Sequence, residues 1–212
     1  MTDAALPKTT RDSLIQAAVA LFGQKGFAET STREIAAAAE TNVASIAYHF
    51  GNKAGLNEAC IRHVAGQIAT AIGGPVPDTA TDPDEAAAQL EVILRRFVGF
   101  IAAAPGAADV VTFLLRQLAG PTEAVDLIYD EFLEPRHRAL CHLWGQATGL
   151  PAESETVKLS VFSMIGQALY FRIGAPYVRK RLDWSEIGAD EAARIADLLV
   201  ANLRCMIERQ RT

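Results

Sequence analysis

An all-α fold is predicted by three features of the 212-residue sequence. Apolar residues recur at intervals of three and four almost throughout, β-branched runs are short, and alanine, the strongest helix former, is abundant. Half of the chain is hydrophobic and 21% is charged, which supplies a buried core and is too little charge for a disordered chain. The longest apolar stretch, residues 97–108, ends at Asp109. That is well short of the roughly 18–20 residues that span a bilayer, so no membrane partner is expected. Asp3 and Lys8 precede any apolar run, and Gln16 interrupts the first one. With no continuous secretory core, a cytoplasmic location is expected. Cys60, Cys141 and Cys205 are odd in number and far apart, a pattern of apolar fillers rather than of a disulfide framework.

The elements follow in order. A first helix is expected over residues 9–25, where Leu14, Ala18 and Phe22 form a stripe widened by Ile15 and Val19; Gly26 stops it, because glycine takes positive φ without strain. Ser31-Thr32-Arg33-Glu34 is a capping box. The Ser31 hydroxyl accepts from the amide of Glu34, and the Glu34 carboxylate accepts from the amide of Ser31. The short helix it starts turns Ile35, Ala36 and Ala39 inward. Asn42 caps a second short helix over residues 43–50, and Asn52 a longer one over residues 53–72. The run Gly73-Gly74-Pro75-Val76-Pro77-Asp78 cannot continue a helix and reads as a linker. Asp82-Pro83, a cap followed by proline at the first helical position, opens a helix that ends before Pro105. Helices over 106–118, 122–134, 135–148, 154–173 and 190–209 complete the chain. Residues 175–188, with Pro176, Arg179-Lys180-Arg181 and Trp184, read as a long connection.

Net charge is −5, but it is unevenly spread. The first 66 residues hold six basic and six acidic residues, and the rest hold 14 and 19. A neutral module on an acidic body approaches DNA if its cations share one face. Two short helices separated by a tight turn between Ser31 and Phe50 have the spacing of a helix-turn-helix, whose second helix enters the major groove.

The stretch from Phe27 through Ala28-Glu29-Thr30-Ser31-Thr32-Arg33-Glu34 to Ile35-Ala36, then Ile46-Ala47-Tyr48-His49-Phe50-Gly51-Asn52-Lys53-Ala54-Gly55-Leu56, resembles the DNA-binding domain of TetR-family transcriptional regulators. Several positions depart from that family's commonest pattern. Glu40 stands where glycine is usual, Thr41 where an apolar residue is usual, Val43 at a frequently polar or basic position, and Ala47 where an aromatic residue often sits. Gly166-Gln167-Ala168-Leu169-Tyr170-Phe171-Arg172 is similar to the CecR-like branch. The resemblance implies a double-stranded DNA operator, a small-molecule effector and a homodimer as partners.

Ser45 is a candidate to hydrogen-bond a base edge, while the short side chains of Ala44 and Ala47 allow close approach and methyl contact with thymine. Tyr48, His49 and Lys53 are candidates to hold the phosphate backbone, Thr30, Ser31 and Arg33 to grip its opposite wall, with Ser31 first a cap, and Asn42 is a further DNA-binding candidate. Lys53 opposes the dipole at the start of its helix, an arrangement that a bound phosphate makes favourable.

The chain is expected to divide into a helix-turn-helix domain over residues 1–56 and a helical effector-binding and dimerisation domain over residues 57–212. An effector pocket is expected among Phe97, Phe100, Phe113, Arg116, Tyr129 and Trp144, with Arg116 as polar anchor, because pockets in bundles are mostly apolar with few polar groups. The dimer interface is expected to use Val161, Ile165, Gln167, Leu169, Leu199 and Leu203. A P-loop, G-x-G-x-x-G, G-x-S-x-G or H-E-x-x-H is missing from the sequence, so no catalytic residue and no cofactor is expected. His137, Cys141 and His142 resemble a metal set only weakly, since His142 lies about 100° around the helix, and no metal site is expected. The alternatives to a repressor released by a small ligand are a helical metal-dependent enzyme and a protein-interaction module that leaves DNA alone.

Overall fold

The computed structural model describes residues 9–74, 82–118 and 122–211, and every regular element among them is helical. It contains two compact units. One comprises residues up to Ala65 together with Asp109–Ile128, and the other comprises Gly66–Ala108 and the chain from Tyr129 onward. The expected boundary at residue 56 therefore falls inside a helix, and residues 109–128 belong with the first unit. Most of the predicted linker, residues 75–78, lies outside the described residues.

In the first unit, α1 (Thr10–Lys25), α2 (Thr32–Ala38) and α3 (Ala44–Phe50) pack on one another around Leu14, Ile15, Phe22, Ile35 and Ile46. Thr9 and Asp12 form a capping box at the start of α1, and Gly26 ends it at φ +89°. The helix α4 (Lys53–Ala71) follows, its first turn capped by Asn52 Oδ1, which accepts from the Gly55 amide at 3.0 Å.

The helix α6 (Ala107–Leu118) lies against α1. Phe113 is fully buried, and a Cβ on Gly23 would stand 3.2 Å from the Phe113 nitrogen, so glycine permits this approach. Asn57 and Gln117, both buried, exchange amide hydrogen bonds of 3.0 and 3.2 Å, which satisfies the groups that burial would otherwise penalise.

In the second unit, α5 (Pro83–Ala103), α8 (Glu134–Thr148), α9 (Glu155–Ile173) and α11 (Ala189–Gln210) pack around Leu90, Leu94, Val98, Leu143, Trp144, Val161 and Leu199. Two expectations about elements are corrected. No break occurs at residue 134; α7 (Thr122–Ile128) runs through a π-helical turn over Tyr129–Leu133 directly into α8. Pro135 lacks the N–H that would bond the carbonyl of residue 131, and the helix widens just before it. The predicted long connection contains α10 (Ala175–Leu182), which Pro176 starts in its first turn and Arg179, Lys180 and Arg181 favour in its last. Cys60 and Cys141 are buried as expected of apolar fillers, whereas Cys205 is exposed on α11. No single described helix is long and apolar enough to cross a membrane.

Candidate nucleic-acid interface

The turn between α2 and α3 gives the helix pair its geometry. Ala39 donates to the Ile35 carbonyl and Thr41 to the Ala36 carbonyl, both at 2.9 Å. Between them Glu40 adopts φ +52°, the left-handed region, which costs a residue with a Cβ about 1–3 kcal/mol. Glycine avoids that strain, which is why glutamate stands out at this place in the sequence. The start of α2 is held by the predicted box: Ser31 Oγ accepts from Glu34 N at 3.2 Å, and Glu34 Oε2 accepts from Ser31 N at 2.8 Å. Lys25 Nζ donates to Glu34 Oε1 at 2.6 Å. That ammonium, followed by the Ser31 amide and hydroxyl, holds the Glu34 carboxyl down at about 2.

Arg33, Asn42, Ala44, Ala47, Tyr48 and His49 are all exposed on the helix-turn-helix, Tyr48 to 84% of its surface. The Tyr48 and His49 rings meet edge to face at 4.9 Å. Lys53 is half-buried, with Nζ 4.3 Å from the Phe27 ring centre and 3.4 Å from the Ala28 carbonyl oxygen. Neither contact neutralises its charge, and the ammonium has three donors. Among the described residues, no carboxylate pairs with Arg33 or Lys53. Asn42 Oδ1 accepts from the Ala44 amide at 2.9 Å, but Asn42 stands one residue before the N-cap of α3, which is Val43 in place of the expected Asn42.

One site expectation changes. Thr30 is 1% exposed and donates to the Gly26 carbonyl at 2.8 Å, which makes it a peg inside the unit and removes it from the phosphate-facing surface. Ser45 is half-buried and shares a hydrogen bond of 3.2 Å with the Thr41 hydroxyl. The structure also adds residues. Val43 is 40% exposed at the start of α3, and the Arg11 guanidinium stands 5.4 Å from the Phe50 ring at its end. The exposure of Val43 was detectable only as an apolar residue at a commonly polar position.

The expected effector residues do not form one site. Phe113 and Arg116 belong to the first unit, where Arg116 donates from Nε to the Gly23 carbonyl and from Nη2 to the Gln24 carbonyl, each at 3.3 Å. It satisfies the end of α1, whose last carbonyls lack helical partners. Phe97 and Phe100 are half-buried on α5. Trp144 is core: fully buried, it donates from Nε1 to Gln210 Oε1 at 2.8 Å.

Of the expected effector residues, Tyr129 alone lines a cavity of about 190 Å³ in the second unit. Its apolar walls are Tyr129, Leu133 and Phe162, the last stacked on the His137 ring at 3.9 Å. Cys141 Sγ lies 3.5 Å from His137 Nδ1; burial lowers the imidazole pKa and raises the thiol to about 11. The charged wall pairs internally, Lys158 with Glu153 at 2.9 Å and Arg138 with Glu134. His142 is exposed on another face of α8.

Three of the expected dimer residues are taken up by the unit's own packing. Val161, Leu199 and Leu203 are 0%, 4% and 2% exposed and serve the unit's own core. Ile165, Gln167 and Leu169 are half-buried, and Gln167 Oε1 accepts from Asn202 Nδ2 at 2.9 Å. The apolar surface left open on these helices runs through Leu159, Phe162, Tyr170 and Ile173 of α9 and Leu198 of α11.

Comparison with known proteins agrees with this geometry. Residues 14–60 match the bacterial regulatory proteins of the tetR family, and residues 86–209 match the C-terminal domain of the HTH-type transcriptional dual regulator CecR. The CecR of Shigella flexneri is 29% identical over 205 residues, covering 93% of this chain and 91% of that one. A TetR-like transcriptional regulator from Rhodococcus sp. RHA1 superimposes with a TM-score of 0.66 at 26% identity, covering 94% of this chain and 96% of that one. AibR, solved with isovaleryl coenzyme A and operator DNA, has the same fold, with a TM-score of 0.68 at 21% identity over 92% of this chain and 97% of its own. A capped helix-turn-helix on one unit, a helical second unit, and family matches to both together identify the protein as a DNA-binding transcriptional regulator that belongs to the TetR family, in the branch carrying the CecR C-terminal domain.

Proposed function

We propose that two copies of this chain bind a pseudo-palindromic operator as a repressor, and that a small, largely apolar or aromatic molecule in the second unit's cavity releases them. The observation that carries the DNA half is the grouping of Arg33, Tyr48, His49 and Lys53 around the recognition helix, with neither cation paired to a carboxylate among the described residues. A seven-residue recognition helix reaches few base pairs, so specificity calls for two, set about 34–36 Å apart in successive major grooves. The open apolar surface of α9 and α11 includes Leu159, Phe162, Tyr170, Ile173 and Leu198, which suits a second copy of itself. Repression needs only occupancy of DNA, and a bound dimer suffices for that.

Fluorescence anisotropy on an operator selected from random duplexes tests the DNA half. A steep fall of affinity with salt is expected, and Lys53→Ala is expected to weaken all duplexes alike while reducing the logarithmic salt slope by roughly two per dimer. A slope unchanged by Lys53→Ala, or binding indifferent to salt, removes Lys53 from the phosphate contacts.

The effector half rests on the cavity lined by Tyr129, Leu133 and Phe162. AibR, of the same fold, has been solved with both isovaleryl coenzyme A and operator DNA. For the ligand to act, it must favour the DNA-incompetent state, typically by about 1–3 kcal/mol. Leu133→Trp, which fills the cavity, is expected to leave operator affinity intact and abolish release by a ligand found in a thermal-shift screen. Release that persists undiminished places the effector elsewhere.

A further inference from the structure

We propose that Val43 reads the 5-methyl group of thymine, so that sequence preference at the start of the recognition helix comes from apolar contact and not from hydrogen bonding. This rests on the DNA-binding reading and specifies what the protein recognises. The N-terminal residues of a recognition helix are those that meet base edges. In this chain that place holds Val43, an aliphatic side chain with 40% of its surface in water, beside the exposed Ala44 and Ala47. Among base edges in the major groove, the thymine methyl is the apolar group on offer. An exposed valine there gains most when its burial is against that methyl.

Each neighbouring polar side chain already makes one hydrogen bond within the motif. Ser45 Oγ shares its hydrogen bond with Thr41 Oγ1 at 3.2 Å, and Asn42 Oδ1 accepts from the Ala44 amide at 2.9 Å. Asn42 retains its Nδ2 donor, but asparagine reads adenine through donor and acceptor together, and the acceptor is held by the helix start. Tyr48 and His49 lie further along α3, their rings in contact with each other at 4.9 Å. The first turn of the helix therefore presents methyl groups to the groove where a hydrogen-bonding reader would present a free amide or guanidinium.

The test changes the DNA before it changes the protein. An operator is selected from a random duplex pool with the full-length protein, and each thymine of one half-site is then replaced by uracil, which deletes the 5-methyl group and leaves every hydrogen-bonding atom in place. Affinity is expected to fall about fourfold at one or two positions, the worth of a methyl group removed from water. Val43→Ala, at an exposed site whose unfolding temperature should not move, is expected to bind the thymine and uracil operators alike at one of those positions. Three results overturn the proposal: a half-site without thymine, wild-type binding indifferent to uracil throughout, or the same uracil dependence in Val43→Ala. Enrichment of no sequence overturns the DNA-binding reading and this proposal with it, whereas a specific operator insensitive to its methyl groups overturns the proposal alone.

Discussion

Gly55→Ala is expected to cost the DNA-binding unit about 3 kcal/mol or more, the upper end of what forced overpacking does, and to abolish operator binding. A Cβ at residue 55 would stand 2.2 Å from the carbonyl oxygen of Phe50, the last residue of the recognition helix. The obstacle is backbone, so no rotamer change relieves it. Either the first turn of α4 or the end of α3 must move, and with it the bond from the Gly55 amide to Asn52 Oδ1 and the position of Lys53. The same helix supplies the control. Gly66 is exposed and a Cβ there meets nothing within 4 Å, so Gly66→Ala is expected to be neutral or to stabilise by up to about 1 kcal/mol through helix propensity. Denaturant unfolding and anisotropy on both variants decide the matter. A Gly55→Ala protein that folds and binds like wild type shows that the close approach of α3 and α4 is absent.

The second large effect concerns Trp144. Replacing it by alanine is expected to destabilise the protein by about 3–5 kcal/mol, because it is fully buried in the second unit and anchors a polar relay. Its indole donates to Gln210, Gln210 Nε2 donates to Ser160 Oγ at 2.9 Å, and Ser160 donates to the Thr156 carbonyl at 2.8 Å, tying α8, α11 and α9 together. Trp144→Phe keeps most of the volume and strands Gln210 Oε1, so about 1–3 kcal/mol is expected from the lost partner. If Trp144 instead lined the effector site, alanine would weaken ligand binding and leave the unfolding midpoint nearly unchanged. Thermal denaturation with and without ligand separates the two roles.

What could be read from the sequence alone depends on interactions that close within about four residues. The Ser31–Glu34 box, the Asn52 and Asp82 caps and the stop at Gly26 stand where the spacing predicts, because cap chemistry is satisfied by the backbone of the same turn. The helix-turn-helix and the family that carries it follow from the same local pattern. The departure at Glu40 shows in the sequence only against the family's usual glycine, and the positive φ that explains it came from the structure.

The roles of side chains that point inward were decided only by tertiary structure. Val161 and Leu199 make the same helical stripe whether they face their own core or a second copy, and packing assigned them to the core. Thr30 and Arg116 are polar residues suited to phosphate or ligand; each found its partner in a backbone carbonyl of α1 or the turn just after it, at Gly26 for Thr30 and at Gly23 and Gln24 for Arg116. Residues 109–128 joined the first unit because Phe113 and Gln117 bury their side chains there, against the order of the chain. Burial and hydrogen-bond satisfaction are settled by neighbours distant in sequence, so apolar periodicity identifies a face that must be covered and leaves open what covers it.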